Sequence, residues 1–483
     1  MAIAIYYAMP NDLVHTAKIT AALTVLMAVW WITEAVPIPV TSLLPLLVFP
    51  IASGIPMDAV GASYGSSVIF LFMGGFMLAL AVQKTGLHHR IALITIKLVG
   101  TKPSRMIAGF MAATAFLSLW ISNTATAVMM IPIGASVLTL IIGHINQGLH
   151  QGGNAQVLET LGKHKSNFAT ALMLGIAYAA SVGGIGTLIS TPPIVLMAGY
   201  LEQVHGVEVS FSRWMLVGVP TAIVMLAVIW FVLVKVLYRP EISVILGGRE
   251  LIEGEINKLG RLRRDEKLVL VVFGLAIFGW IVLPLFLPDL PFSDAAVALV
   301  AAFLLFILPG KKSDSGVKTP STRLLDWDTA VQLPWGILLL FGGGLALSNQ
   351  FTTSGLSHWL GEQFQGIGVL PIVLVIFLVT AIVMIMTEIT SNTATAATFL
   401  PIFGGIALGI GADPMLFAIP VAIAATSCFM LPVATPPNAI AYASGQVTIG
   451  QMASAGIWLN IVGTVVITGI TLTLASWVFG IVY

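Results

Sequence analysis

The sequence predicts an all-α polytopic membrane protein made of two repeats that lie in the membrane with opposite orientations. Three observations carry this prediction: the composition, the recurrence of long apolar stretches, and an internal duplication. Of the 483 residues, 58% are hydrophobic and 8% are charged, and the mean hydropathy is +1.01. Because soluble domains carry about 25% charged residues, the composition excludes an ordinary soluble domain.

Long apolar stretches recur along the whole chain and predict membrane-spanning helices. They cover residues 17–32, 40–53, 66–82, 168–200, 215–237, 268–288, 294–309, 335–348, 370–386, 414–432 and 454–482. Several reach the roughly 20 residues that a helix needs to cross the hydrocarbon core. Barrel strands would be short segments of alternating polarity instead. We therefore expect a multi-pass helical protein of the cell membrane, meaning the plasma or inner membrane.

Charge and cysteine content exclude several other classes of protein. The net charge is +1, so no strongly basic face indicates nucleic-acid binding. Cys428 is the single cysteine, which excludes an internal disulfide and a metal site built from paired cysteines. Residues 1–16 lack a basic region followed by an apolar stretch, so we expect no cleaved signal peptide.

The internal duplication is anchored by the hexapeptide SNTATA, which stands at 122–127 and again, letter for letter, at 391–396. A shift of 269 positions superimposes the two copies and also places "FMGGFMLALAVQKTGL" (72–87) on "FGGGLALSNQFTTSGL" (341–356). Ser, Asn and Thr cost free energy when they are buried without partners. An identical polar hexapeptide in two apolar regions therefore indicates a shared function.

A second pair of motifs follows each hexapeptide. It consists of "GTLISTPPIVLMAG" (186–199) and "LPVATPPNAIAYASG" (431–445), which are offset by 244 positions. The offset is smaller by 25 than that of the hexapeptides, which matches a polar insert near 144–167 in the first half. The halves are thus predicted to cover about 17–237 and 267–480.

Basic residues predict how the halves are oriented. Lys and Arg concentrate in the segments 84–105, 239–267 and 311–323, and such an excess marks cytoplasmic loops. Placing these segments inside gives a consistent count only if 106–143 and 370–410 are re-entrant helical hairpins. The first half then has five crossings, three before its hairpin and two after. An odd number inverts the second half, as in many secondary transporters.

On this count the first hairpin enters from the cytoplasm, the second enters from outside, and both termini lie outside.

The TPP motifs are predicted to break two membrane helices. Proline lacks an N–H group and clashes with the preceding turn, so each break leaves free N–H groups on one half-helix and free carbonyls on the other. The N–H groups suit carboxylates. The carbonyls, together with Ser and Thr hydroxyls and the Asn side-chain oxygen, suit a small cation such as Na⁺.

Basic side chains are absent from the regions where an anion would bind. No Lys, Arg or His lies within 106–143, within 370–410 or beside either TPP motif. An uncompensated dianion at membrane depth is costly, so helix dipoles and co-bound cations have to offset its charge. This favours sodium coupling, and an exchanger that relies on dipoles alone is the alternative.

These paired motifs, together with "WWITEAVPIPVTSLLPLLVFP" (30–50), resemble the divalent anion:sodium symporter family, which includes dicarboxylate and citrate transporters. The resemblance covers nearly the whole chain. It implies a transporter and not an enzyme. It also implies a homodimer in which a scaffold domain supports a mobile transport domain that works as an elevator. It also implies the following division of the chain: scaffold helices in 1–105 and 268–369, transport-domain parts in 106–238 and 370–483, and a cytoplasmic linker in 239–267.

The resemblance further implies which residues bind the solutes. The substrate contacts would be Ser122, Asn123, Thr124, Thr191, Pro192, Ser391, Asn392, Thr393, Thr435 and Pro436. The first sodium site would use Ser118, Ser122, Asn123 and the carbonyl of Ser190. The second would use Thr387, Thr390, Asn392 and the carbonyl of Ala434.

The sequence departs from the family pattern in two places. The second TPP is followed by Asn438 but the first by Ile194, which predicts that one side of the pocket lacks a polar group. Residues 1–16 are too short and polar for the additional N-terminal crossing that relatives often carry.

The resulting prediction is sodium-driven transport of small di- or tricarboxylates, foremost C4-dicarboxylates such as succinate or malate. The expected partners are this anion, sodium, membrane lipid and a second copy of the chain. One alternative is a sodium-independent dicarboxylate exchanger of the same family. Another class is a membrane-embedded hydrolase that uses Ser63, because "GASYG" (61–65) matches the GxSxG pattern. That chemistry requires a strand–turn–helix elbow.

Overall fold

The computed structural model describes residues 2–11, 13–99, 102–149, 166–241, 248–287, 293–310, 323–364 and 370–482. Across these residues the regular structure is helical, apart from one isolated β-bridge between Pro309 and Arg323. Within the described part of the chain, five helices are long and apolar enough to cross a membrane: His15–Thr33, Met57–Thr85, Asn167–Gly186, Phe211–Leu237 and Ile449–Phe479. The all-α membrane prediction is confirmed.

The first half begins with helices that precede the SNT motif. Their bounds are Ala2–Ala8, His15–Thr33, Ile38–Thr41, Leu44–Ser53, Met57–Gly61, Ser67–Thr85 and Leu87–Val99, with a 3₁₀ turn at Ala62–Gly65. The corresponding helices of the second half are Arg264–Ile277, Leu283–Phe286, Asp294–Ile307, Trp327–Ala330, Trp335–Thr353 and Leu356–Gln363, with a π-helical segment at Phe278–Val282.

A glycine turn recurs in both halves at the same place in the repeat. Gly86 has a φ of 75° and lies between the helices Ser67–Thr85 and Leu87–Val99. Gly355 has a φ of 79° and precedes the helix Leu356–Gln363. These glycines are 269 positions apart, which is the offset of the hexapeptides. Left-handed backbone favours glycine, so both halves use the same residue for the same turn.

Each SNT motif lies at the junction of two helices that pack against one another. Hairpin 1 consists of Pro103–Ser118 and Asn123–Leu149, with its tip at 119–122. Hairpin 2 consists of Ile372–Thr387 and Asn392–Gly409, with its tip at 388–391.

Each TPP motif begins the second part of an interrupted helix. Broken helix 1 consists of Asn167–Gly183, a 3₁₀ turn at Gly184–Gly186, a break at 187–191, and Pro192–His205. Broken helix 2 consists of Met415–Thr426, a break at 427–435, and Pro436–Ala443. The first proline of each TPP is the first helical residue, a position that needs no N–H donor. The prediction that the TPP motifs break helices is confirmed.

The remaining helices flank these units. They are Phe211–Phe231 with a π-helical segment at Val232–Leu237, Gly248–Leu259, and Ile449–Ile470 with a π-helical segment at Thr471–Ala475 and the short helix Ser476–Phe479. The predicted linker 239–267 contains the helix Gly248–Leu259, while its residues 242–247 lie outside the described part. Most of the predicted polar insert, residues 150–165, also lies outside it.

The broken helices form the centre of the molecule. Every residue of Met415–Thr426 is buried, as is every residue of Asn167–Gly183 except Asn167. A Cβ atom at Gly183 would lie 2.6 Å from the Ala115 backbone, so hairpin 1 and broken helix 1 touch backbone to backbone. Small residues permit such close approach in membrane proteins. The hairpin tips are thereby held against the breaks.

Candidate functional site

Both SNT motifs and both TPP motifs line one central cavity of about 720 Å³. The lining residues from these motifs and their neighbours are Asn123, Thr124, Thr191, Pro192, Pro193, Thr390, Ser391, Asn392, Thr393, Ala434, Thr435 and Pro436. Segments that are far apart in sequence therefore converge, as the duplication predicts.

Four helices begin at this cavity, with Asn123, Pro192, Asn392 and Pro436 as their first residues. The residues that precede three of them, Thr191, Ser391 and Thr435, make no capping hydrogen bond from their side chains. The hairpin helices that begin at Asn123 and Asn392 present backbone N–H groups to the cavity. The helices that begin at Pro192 and Pro436 start with two prolines, which have no N–H, so they contribute mainly the positive end of the helix dipole. The cavity is therefore suited to negatively charged groups.

The central cavity has almost no side-chain charge. Glu34 is the single charged residue among the described residues that line it, and no Lys, Arg or His is among them. Glu34 ends the helix His15–Thr33 in left-handed backbone, with a φ of 49°. Glu34 therefore terminates this helix and also lies on the cavity wall. A bound dianion has to be balanced by helix N-termini and by cations.

Side-chain hydroxyls join tip 1 to broken helix 1. The Ser118 hydroxyl donates to the carbonyl oxygen of Ala180 at 2.5 Å. The Ser190 hydroxyl donates to the carbonyl oxygen of Ser118, and it lies 3.2 Å from that of Ile121. The tip carbonyls, the hydroxyls and the break therefore lie together in one small polar cluster.

Ser122 in tip 1 and Asn123 directly after it accept hydrogen bonds from backbone N–H groups. Asn123 Oδ1 accepts from the N–H of Thr124 at 2.8 Å, and Ser122 Oγ accepts from the N–H of Ala125 at 3.3 Å. Ser118, Ser122, Asn123 and Ser190, which the resemblance implies as the first sodium site, thus lie in and beside the junction of tip 1 and its break. Hydroxyl, amide and carbonyl oxygens at such a junction suit Na⁺.

Tip 2 is joined to broken helix 2 in a corresponding way. The Thr387 hydroxyl donates to the carbonyl oxygen of Ala425 at 2.7 Å and to Asn392 Oδ1 at 2.9 Å. Thr387 is the residue that corresponds to Ser118 under the 269-residue offset. In both halves, therefore, the last residue of the first hairpin helix bonds a carbonyl of the broken helix.

A buried carboxylate holds break 2 in place. Glu388, which is 3% exposed, accepts hydrogen bonds from the N–H groups of Phe429 at 2.7 Å and Met430 at 2.9 Å, and from Asn460 Nδ2 at 2.9 Å. The Tyr178 hydroxyl donates to the carbonyl oxygen of Phe429 at 2.7 Å. Glu388 is therefore a hydrogen-bond partner of break 2, and it lies next to Thr387 in the chain.

The residues after the two TPP motifs do not line the central cavity, so the expectation that Ile194 deprives the pocket of a polar group is wrong. Each is the third residue of its helix and is fully buried. Asn438 instead braces break 2, because its Nδ2 donates to the carbonyl oxygens of Leu431 at 3.1 Å and Cys428 at 3.3 Å. The halves therefore differ in whether the side chain after the TPP motif donates hydrogen bonds that brace the break.

The substrate residues implied by the resemblance all line the central cavity except Ser122. Ser122 lines a neighbouring side cavity of about 400 Å³. The two cavities share the lining residues Asn123, Thr124, Pro192, Pro334 and Ile337. Among the implied sodium ligands, Thr390, Asn392 and Ala434 line the central cavity alone, Ser122 and Ser190 line the side cavity alone, and Asn123 lines both. Ser118 and Thr387 are fully buried and line neither cavity.

Sequence reasoning missed the lining that other helices supply. Pro39, Pro334, Gly336 and Ile337 line the central cavity, and Gln83 and Gln332 line the side cavity. Pro39 belongs to the segment 30–50, on which the family resemblance partly rests, so the sequence did carry a signal for that wall. Gln83 in an apolar helix and Gln332 in a turn carry no comparable signal.

A model of the sodium:sulfate symporter transmembrane region matches residues 1–481. The chain belongs to the sodium:sulfate symporter family. The resemblance that the paired motifs indicated is therefore confirmed.

Curated members of the sodium:sulfate symporter family align with almost the whole chain. The sodium-dependent dicarboxylate transporter SdcS of Staphylococcus saprophyticus is 42% identical over 477 residues, which cover 98% of this chain and 89% of that protein. SdcS of Staphylococcus aureus strain USA300 is 40% identical, with 98% and 88% covered.

Two solved structures share the fold of this sodium:sulfate symporter family member. The YdaH transporter of Alcanivorax borkumensis matches with a TM-score of 0.53 at 12% identity, covering 86% of this chain and 85% of that one. MtrF of Neisseria gonorrhoeae, from a class of antimetabolite efflux pumps, matches with a TM-score of 0.55 at 14% identity, covering 100% and 98%. Both are membrane transporters.

The hydrolase alternative does not fit a sodium:sulfate symporter family member, and the geometry also opposes it. Ser63 lies in the 3₁₀ turn Ala62–Gly65 between two helices and is 4% exposed. A nucleophile elbow requires a strand before the serine. The GxSxG match at 61–65 is a helical connection.

Proposed function

We propose that this protein is a secondary-active transporter of small dicarboxylates, with C4-dicarboxylates such as succinate or malate as its main substrates, coupled to inward sodium. One observation carries the proposal: four helix N-termini meet at a central cavity that no described basic side chain lines. Such a cavity attracts carboxylates through N–H groups and dipoles. The names of the SdcS relatives support the same substrate class and the same ion.

The substrate carboxylates would be bound by the two tips. Asn123 and Thr124 lie at the start of one helix, and Asn392 and Thr393 at the start of another. Each pair offers polar side chains to the same cavity. The backbone N–H groups of Asn392 and Thr393 add donors at the second pair, whereas at the first pair the Thr124 N–H is bonded to Asn123 Oδ1. Two binding groups that come from different halves of the chain suit a substrate with two carboxylates.

Two sodium ions would be bound where each tip meets its break. Ser118, Ser122, Asn123 and the Ser190 carbonyl would hold the first ion, and Thr387, Thr390, Asn392 and the Ala434 carbonyl the second. Asn123 and Asn392 belong to both a cation site and the substrate site. Because each ion would fix an asparagine that also faces the substrate, sodium and substrate should bind cooperatively.

Movement between the two sides of the membrane would follow the elevator scheme, in a homodimer. Residues 106–238 and 370–483 would move against the scaffold residues 1–105 and 268–369. The proposed boundary is closely packed, since a Cβ at Gly199 would meet Leu345 at 3.2 Å and one at Gly344 would meet Ala397 at 3.4 Å. The glycines at these contacts let the two surfaces approach closely.

Uptake into proteoliposomes tests the proposal. Labelled succinate should accumulate under an inward sodium gradient and should not accumulate when potassium replaces sodium. Competition by unlabelled malate, citrate and sulfate then ranks the anions. If uptake ignores the sodium gradient and instead requires internal dicarboxylate, the protein is an exchanger and sodium coupling is wrong.

A further inference from the structure

The side cavity differs from the central cavity in what it contacts. Ser122 and Ser190 line the side cavity and not the central one, and neither Asn392 nor Ala434 lines the side cavity. Only the first proposed sodium site therefore borders it. A dicarboxylate in the side cavity would meet one tip and one break, whereas in the central cavity it meets both.

The side cavity extends along the helix Ser67–Thr85 towards its C-terminal end. Phe76, Leu80 and Gln83 line it from successive turns, a span of roughly 10 Å at 1.5 Å per residue. Lys84, next to Gln83, lies 2.6 Å from the Asp326 carboxylate at this end. The basic segment 84–105 begins here, so the positive-inside rule places this end on the cytoplasmic side.

The lining of the side cavity is neutral and carries oxygen atoms. Hydroxyls of Ser122 and Ser190 border one part of it, and the amides of Gln83 and Gln332 border another. Its volume of about 400 Å³ holds on the order of ten water molecules at about 30 Å³ each. The rest of the lining is mostly apolar, with Phe76, Leu80 and Ile337 among its members. A cation needs water or oxygen ligands at membrane depth. The hydroxyls and amides supply oxygen ligands, and the volume admits water, without a fixed charge that would trap the ion.

We propose that the side cavity is a separate aqueous passage for the sodium ion of the first site, which the substrate does not use. The passage runs from Ser122 and Ser190 to Gln83 and Gln332. The inference rests on the proposed function, because it assigns a route to one of the two proposed sodium sites.

The two sodium ions then differ in how they leave. The residues Thr390, Asn392 and Ala434 of the second site line the central cavity, so a bound dicarboxylate covers that site. The first site retains its own exit while substrate is bound. In this conformation one sodium ion exchanges with the solution in the presence of saturating succinate, and the other is retained.

Narrowing the passage tests this assignment. Leu80 is half-buried and lines the side cavity alone, so Leu80→Trp fills the passage without altering a proposed ligand. Release of radiolabelled sodium from purified protein, held in saturating succinate, should show a fast and a slow phase in the wild type. Leu80→Trp should slow the fast phase about tenfold and leave the slow phase and the succinate affinity unchanged.

The matched control is Leu339→Trp, because Leu339 is also a half-buried leucine on a neighbouring helix and lines neither cavity. It should leave both phases unchanged. The passage is refuted if Leu80→Trp leaves the fast phase intact, or if it weakens succinate binding while sodium release is unchanged. Wild-type protein that transports succinate without sodium would instead overturn the proposed function itself.

A second test avoids a bulky substitution. Gln83→Cys places a thiol in the side cavity, and Val433→Cys places one on the central cavity wall, where Val433 is 81% exposed. The native Cys428 is fully buried and serves as the unreactive background. With sodium present, succinate should protect Val433→Cys from a cationic methanethiosulfonate reagent and should not protect Gln83→Cys. Equal protection of both thiols would overturn the separate passage.

Discussion

The Thr387 hydroxyl donates a hydrogen bond to Asn392 Oδ1 across 2.9 Å and spans the whole of tip 2. Thr387 ends one hairpin helix and Asn392 begins the next. The oxygen that accepts this bond belongs to a residue that also faces the central cavity. We propose that a cation bound beside Thr387 and Asn392 would change the side chain that the substrate meets, and that this contact would couple the two solutes.

Asn392→Ala should uncouple tip 2. The substitution removes an oxygen ligand from the second proposed sodium site and a polar contact from the cavity. We expect the sodium concentration for half-maximal uptake to rise by about tenfold or more, since a hydrogen bond to a charged group contributes about 1.5–3 kcal/mol. Uptake of labelled succinate against sodium concentration measures this.

Asn349→Ala is the control for that variant. Asn349 is half-buried on the helix Trp335–Thr353 and lines neither cavity, so its sodium dependence should match the wild type. Equal sodium curves for Asn392→Ala and Asn349→Ala would remove Asn392 from the site.

Glu388→Gln should loosen break 2. Phe429 and Met430 donate their N–H groups to different oxygens of the carboxylate. A glutamine has one acceptor oxygen, so its NH₂ group would face one of these two N–H groups and leave that donor without an acceptor. Leaving a buried donor unsatisfied costs about 1–3 kcal/mol, so we expect a lower thermal midpoint and weaker stabilisation by sodium. Thermal unfolding in detergent, with and without sodium, measures both effects.

The matched variant is Glu362→Gln, which alters an exposed carboxylate that pairs with His358 at 3.4 Å. Exposed ion pairs contribute little, so its midpoint should stay near that of the wild type. A Glu388→Gln protein that keeps the wild-type midpoint in both conditions would show that the carboxylate does not brace the break.

Gly183→Ala should separate hairpin 1 from broken helix 1. A Cβ at this position would lie 2.6 Å from the Ala115 backbone, which cannot yield without moving the helix. Overpacking of this kind typically costs about 1–3 kcal/mol, and the shift should also lower transport. Gly274→Ala is the control, because a Cβ there would have no neighbouring atom within 4 Å and alanine favours a helix by roughly 0.5–1 kcal/mol. Denaturation midpoints that fall equally in both variants would contradict the close contact.

The Lys84–Asp326 pair predicts a pH-dependent contribution to stability. Hydrogen bonds from Lys84 and Thr329 lower the pKa of Asp326 to about 2, whereas an unfolded aspartate titrates near about 4. Because the folded pKa is the lower one, the stabilisation is present above about pH 4 and is lost as the pH falls towards 2. The thermal midpoint of wild type should exceed that of Asp326→Asn at pH 6, by a small margin for this partly exposed pair.

That margin should shrink as the buffer is acidified below about pH 4. Asp58→Asn, on a separate exposed segment, serves as the control. A wild-type advantage over Asp326→Asn that persists at the lowest pH would contradict the assignment.

The sequence was sufficient to predict the parts of the site that break ordinary helical rules. Polar SNT residues and TPP breaks in apolar regions have no inexpensive structural explanation, so their recurrence located both tips and both breaks. The recurrence also indicated that Asn123 and Asn392, which directly follow the tips, share a function, and both line the central cavity.

Other features depend on packing between distant segments and left no pattern in the sequence. Ser122 was expected to contact the substrate, but it lines the side cavity. The local backbone determines which side of tip 1 this residue faces, and the sequence pattern does not specify it. The bond from Ser118 to Ala180 crosses 62 positions of sequence. The hydrogen bond from the Phe429 N–H to Glu388 crosses 41 positions of sequence, and no pattern in the sequence indicates it.

Equilibrium binding of succinate to the purified protein, measured by calorimetry in sodium and in choline, tests the central claim most directly. We expect succinate to bind in sodium, with an affinity that rises steeply with the sodium concentration, and to show no measurable binding in choline. Succinate binding of equal affinity in both salts would contradict it.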